Sequence, residues 1–110
     1  MKSAAIIDIR RNVPKTWEDC LTRFLAWKKA QGAAPRTLQG YNEIITLFFR
    51  RFPTAWSATC RECIAAFLAQ EGISTTTHNM RLKSIRPFFQ FAAREGAFSE
   101  SPASEFRMRK

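Results

Sequence analysis

The sequence has 110 residues, a formal net charge of +9, 45% hydrophobic residues and ten Phe. That length holds one domain, since two would leave halves too small to bury a core, and the apolar content is too high for a disordered chain. No apolar run is long enough to span a bilayer, and the run before Asp8 is too short for a secretion signal, so the expectation is a cytoplasmic protein with no membrane partner.

Residues 1–15, with Lys2, Arg10, Arg11 and Lys15 against Asp8, read as a flexible basic N-terminal arm. The first helix starts at Thr16, whose hydroxyl and the Asp19 carboxylate form a capping box. Its apolar face is Trp17, Cys20, Leu21, Phe24 and Leu25, and it ends before Gly32 with Lys28 and Lys29 in the last turn. The second helix opens near Pro35, where a missing N–H costs nothing. Leu38, Tyr41, Ile45, Phe48 and Phe52 form its core stripe; Arg36, Gln39, Glu43, Thr46 and Arg50 form the opposite face, and Pro53 stops it.

The third helix opens on a Thr59–Glu62 capping box, buries Cys63, Ile64, Phe67 and Leu68, and stops at Gly72. A fourth follows Ser74-Thr75-Thr76-Thr77, with His78, Leu82, Ile85, Phe89 and Ala92 as its core face. Asn79, Lys83, Arg86, Gln90 and Arg94 fall on another face about 100° away. Pro87 removes one backbone hydrogen bond and predicts a kink or a split, and Gly96 ends the segment. No alternating pattern is sustained, so the expected fold class is all-α: four helices packed as a bundle or as an orthogonal pair of hairpins.

Little in the chain supports catalysis. The single His78 lies on an apolar face, carboxylates are scattered, and no phosphate-cradling glycine motif exists. Three cysteines, an odd count, argue against a disulfide framework. Cys60-Arg-Glu-Cys63 is a lone CxxC without the further ligands a structural zinc needs, with Cys63 read as core-facing and Cys60 as a helix-start residue. The expectation is no enzyme activity in this chain, no metal and no cofactor.

Charge carries the positive signal. Residues 73–110 hold seven bases against three acids, and no acid occurs between Glu71 and Glu95. Such a balance favours a polyanionic partner, most often nucleic acid and less often an anionic membrane surface, and the absence of acids points to DNA. A Thr- and Asn-rich helix start offers hydroxyls, an amide and free backbone N–H groups to phosphates, and Lys83 and Arg86 follow on the same helix.

Two stretches resemble a known family. Ala34-Pro35-Arg36-Thr37-Leu38-Gln39-Gly40-Tyr41 is similar to the "S-P-x-T-L-x-x-Y" helix opening of tyrosine recombinases of the phage integrase family. The stretch from Thr77 to Gly96, THNMRLKSIRPFFQFAAREG, resembles that family's "T-I-N-R-R-L-S-A-L-R-S-F-F-R-F-L-V-R-E-G". Ser101-Pro102-Ala103 stands where the family has "N-P-A". The resemblance implies the N-terminal core-binding, SAM-like domain over residues 16–106, with 107–110 starting a linker to a separate catalytic domain of the same full-length protein. That domain would carry the nucleophilic tyrosine, so Tyr41, on a core stripe, is not it.

The implied role is to clamp DNA around a recombination site, with further recombinase protomers on the same DNA. The implied DNA-binding candidates are Arg36, Thr37, Gln39, Thr75, Thr76, Asn79, Lys83 and Arg86, with Thr37 and Asn79 matching the motif directly. Lys83 and Pro87 depart from the small residues common there, and His78 replaces an aliphatic. Phe91, off the main stripe, is expected on the third helix or on the catalytic domain. The alternatives are a helical protein-interaction module docking through the fourth helix or Phe91, and a small stand-alone DNA-binding regulator.

Overall fold

The computed structural model describes residues 12–110, which contain four helices and no strand: α1 (Trp17–Ala30), α2 (Pro35–Arg51), α3 (Cys60–Leu68) and α4 (Thr75–Arg94). Of the arm expected over residues 1–15, positions 1–11 lie outside the described residues. Beyond them, Pro14 is buried and Arg23 donates to the Asn12 carbonyl, so packing begins ahead of Thr16.

Local chemistry sets the helix ends. Thr16 has extended backbone, and its Oγ1 accepts from the Asp19 amide at 3.1 Å, while the Asp19 carboxylate pairs with Arg23 at 2.9 Å. Ser74 caps α4 in the same way, accepting from the Thr77 amide at 3.0 Å. Past α1, Gly32 takes φ +96°, which lets the Gly32 and Ala33 amides reach back to the carbonyls of Lys29 and Lys28. Gly96, at φ +93°, repeats this after α4, with Ala97 bonding to Ala92.

The third helix departs from its expected start. Thr59 sits at φ −94°, ψ 10°, outside the extended region from which a side chain caps a helix, and makes no cap bond. Its amide is taken instead by the Ser57 hydroxyl at 3.2 Å. The helix ends at Leu68, short of Gly72. Cys60 is buried and Cys63 only half-buried, the reverse of the expectation, because Cys60 shares a face with Ile64 and Phe67, four and seven residues on.

The fourth helix is the hub, packing against α1, α2 and α3, while α1 also packs against α2. It runs unbroken through Pro87, so the expected split does not occur. All five expected core residues are buried, and so are Arg81, Ser84, Phe88 and Phe91. Phe91 packs on α1, with ring centroids 5.6 Å from Phe24 and 5.2 Å from Trp27, which corrects its assignment to the third helix or to a further domain.

Six phenylalanines, Phe24, Phe48, Phe49, Phe67, Phe88 and Phe89, are fully or almost fully buried. They meet mostly edge to face: Phe24–Phe88 at 5.6 Å and 89°, Phe48–Phe89 at 6.0 Å and 86°, Phe88–Phe89 at 4.9 Å and 78°. This geometry sets the positive ring edge against the negative face. Phe49, absent from the expected stripe, is buried because Trp17 stacks on it at 4.7 Å and Phe88 meets it edge to face at 6.2 Å.

One cation belongs to this interior. Arg81 is 5% exposed, with its guanidinium 4.2 Å from the Phe67 ring centroid. Nη1 donates to the Phe67 carbonyl and to Gln70 Oε1, each at 2.9 Å. Arg81 thus satisfies a carbonyl that the C-terminal end of α3 leaves without a partner. Burial first, and the like charge of Arg51 second, lower its pKa from the ordinary arginine value, yet a guanidinium stays charged.

Two stability measurements follow, both by chemical denaturation. Arg81→Ala should cost about 2 kcal/mol or more, as expected for a buried charge-assisted hydrogen bond lost together with its packing, whereas exposed Lys83→Ala should cost almost nothing. Ser74→Ala should cost about 1 kcal/mol through its lost cap, and Thr59→Ala distinctly less.

Candidate nucleic-acid interface

The eight candidates lie on the opening turns of α2 and along the outer side of α4. Arg36, Thr37 and Gln39 are exposed on α2, which begins with Pro35 and has no acid in its first turn. Thr75 and Thr76 are exposed in the first turn of α4, which also lacks an acid.

Packing of α2 on α4 brings Thr37 and Lys83 to one open groove of about 400 Å³, with Gly40, Tyr41 and Ile44 on one wall and Met80 and Ser84 on the other. Lys83 is exposed there, and Met80, at 55% exposure, is among the described residues the more exposed of two large apolar side chains left in solvent. Gln39 is spent on its own helix, its Nε2 donating to the Glu43 carboxylate at 3.1 Å. Arg36 stands beside the groove without lining it.

Asn79 and Arg86 are engaged differently, by the C-terminal segment. Asn79 Nδ2 donates to the Arg109 carbonyl at 2.9 Å, and its Oδ1 accepts from the Arg109 amide at 2.8 Å. Arg86 Nη2 donates to the Phe106 carbonyl. Buried His78 contributes to the arrangement: its Nδ1 lies 2.9 Å from Asn79 Oδ1, an atom that only accepts, so Nδ1 carries the proton.

Further cations extend the basic side at the opposite end of α4. Arg94 lies 4.2 Å from the Trp27 ring and Lys28 Nζ 5.2 Å from it, so the indole meets two cations; Lys28 is also 5.9 Å from the Tyr41 ring. Lys28 reads in sequence as a last-turn cation suited to the helix dipole, and only the docking of α1 beside α4 gives it this second setting. Among the described residues the ion pairs are Arg23–Asp19 and Arg61–Glu105, and neither draws on the basic residues of α4.

Burial pushes the Cys20 and Cys60 thiols up to about 12, which keeps both protonated at neutral pH. A hollow beneath the C-terminal segment, also about 400 Å³, is lined by Ser57, Ser101 and the exposed Arg61–Glu105 pair. Phe91, offered in sequence as a protein-docking residue, is 5% exposed and unavailable for that role. Among the described residues no helix is long and apolar enough to cross a membrane.

Comparison with curated proteins and with solved structures gives no match. Comparison with family models gives one, to the phage integrase N-terminal SAM-like domain over residues 21–96, a span from within α1 to the glycine that ends α4. That span is well over half the chain and contains every candidate above. The all-α architecture agrees with it, and the chain belongs to the phage integrase N-terminal SAM-like domain family.

Proposed function

We propose that this domain binds double-stranded DNA as the core-binding part of a cytoplasmic site-specific tyrosine recombinase, clamping the duplex around a recombination site. The observation that carries this reading is the groove shared by Thr37 and Lys83, set on a helix with no carboxylate along its length. Thr37, Thr75 and Thr76 supply hydroxyls for phosphate oxygens, and Arg36 and Lys83 supply cations, with Lys28 and Arg94 adding two more beside Trp27. Strand cutting and rejoining fall to a catalytic domain of the same recombinase, and this domain contributes affinity and register alongside other protomers on the DNA.

Contacts to phosphate dominate such an interface, so binding weakens with salt in proportion to the phosphates neutralised. The test is fluorescence anisotropy with a labelled random-sequence duplex across a salt series. The isolated domain should bind with a Kd in the ~10⁻⁴–10⁻⁶ M range of non-specific complexes, with a clear negative slope of log affinity against log salt. Lys83→Ala should weaken binding several-fold and reduce that slope by about one, with the helical circular dichroism unchanged. Unaltered affinity and slope in Lys83→Ala would remove α4 as the DNA side.

A further inference from the structure

The C-terminal segment is tied to α4 at two points, and their spacing defines its path. Phe106 is held at Arg86 and Arg109 at Asn79, so the segment runs antiparallel to the helix. Seven residues of helix rise about 10.5 Å, and three steps of extended chain cover about 10 Å, so the two lengths match. The segment therefore lies stretched along α4, passing the turn that carries Lys83. Upstream it is anchored by Ala103, which is fully buried, and by Phe106, which packs against the core. The Arg109 guanidinium reaches the Leu68 carbonyl at the end of α3 at 3.4 Å, next to the carbonyl that Arg81 satisfies.

Asn79 recognises backbone here, one donor and one acceptor closing on the amide and carbonyl of a single residue. That contact is indifferent to the side chain it holds and serves to fix position. What it fixes is a basic stretch: Arg107, Arg109 and Lys110, with no acid after Glu105. Arg107 lies between the two anchor points and is exposed, and Lys110 is exposed just beyond the second.

We infer that Asn79 is a positioning residue that latches the C-terminal segment onto α4, making Arg107 and Lys110 additional phosphate-binding groups beside Lys83. The inference rests on the DNA-binding reading above and deepens it. Its signature is that a neutral substitution at Asn79 lowers the number of phosphates engaged, although it removes no charge.

The experiment uses the full chain with the same random duplex and salt series, comparing wild type, Asn79→Ala, the pair Arg107→Gln and Lys110→Gln, and all three changes together. The charge pair should weaken binding several-fold and lower the salt slope by about two. Asn79→Ala should lower the slope in the same direction, and should add nothing once the two cations are gone. In the protein without DNA, Asn79→Ala should speed amide hydrogen exchange at Arg109 by tenfold or more, with helix content retained. Unchanged exchange at Arg109 would overturn the latch independently of DNA. Full affinity in the charge pair, with Lys83→Ala still weakened, would overturn the inference while leaving the DNA-binding reading in place. Equal losses from Asn79→Ala in both backgrounds would assign Asn79 to direct DNA contact and overturn the latch. Wild-type protein without salt-dependent binding would overturn the reading and the inference together.

Discussion

One helix has to satisfy two opposed demands, and the rest of the molecule is arranged around it. Its inner side must be largely apolar through about four turns, from His78 to Ala92, to meet three neighbours at once, and its outer side must keep bases without acids. Phe88 and Phe89 meet the first demand, reaching Phe24, Phe48 and Phe49 on two other helices. Because those rings interlock edge to face, α4 has little freedom to rotate about its axis, and the outer row of polar residues is fixed in direction by the buried row. The presentation of Lys83 to solvent is therefore a consequence of core packing.

Arg81 shows how closely the two demands approach one another. A base on the fourth helix is turned inward, and it is tolerated because the end of α3 offers carbonyls and the Phe67 ring offers a face. The bundle gains a connection between α3 and α4, and the surface loses one of the charges that composition alone would assign to it. Asn79 and Arg86 extend the same principle outward, using polar groups of α4 to hold another part of the chain.

Much of this was legible in the sequence where the determinants are local. The four helices, the cap at Thr16, the buried row from His78 to Ala92 and the family likeness all rest on short-range patterns, while the polar run before α4 offered several caps and the fold uses Ser74. Errors occurred where the deciding partner lies far along the chain. Phe49 falls outside the stripe of α2 and is buried because Trp17 and Phe88 pack against it. Phe91 went to the wrong neighbour because periodicity gives a direction around a helix and does not name what lies there. Thr59 followed the capping pattern, but the turn before it leaves its backbone outside the conformation a cap requires. The engagement of Asn79 links positions thirty residues apart, and no spacing rule reaches that distance. Lys28 was visible as a charge, though its place beside Arg94 depends on how α1 lies against α4.

The cysteines have a consequence for the environments in which the domain can work. Two of the three thiols are sealed in the interior by apolar neighbours, and the third, Cys63, is only partly covered. Thiol chemistry therefore finds little to attack while the bundle is closed, and no disulfide among the described residues ties the fold to the redox poise of the surroundings; the oxidisable sulfur these residues leave in solvent is that of the exposed Met80 and Met108. Any disulfide between copies would have to pass through Cys63, on the first turn of the shortest described helix.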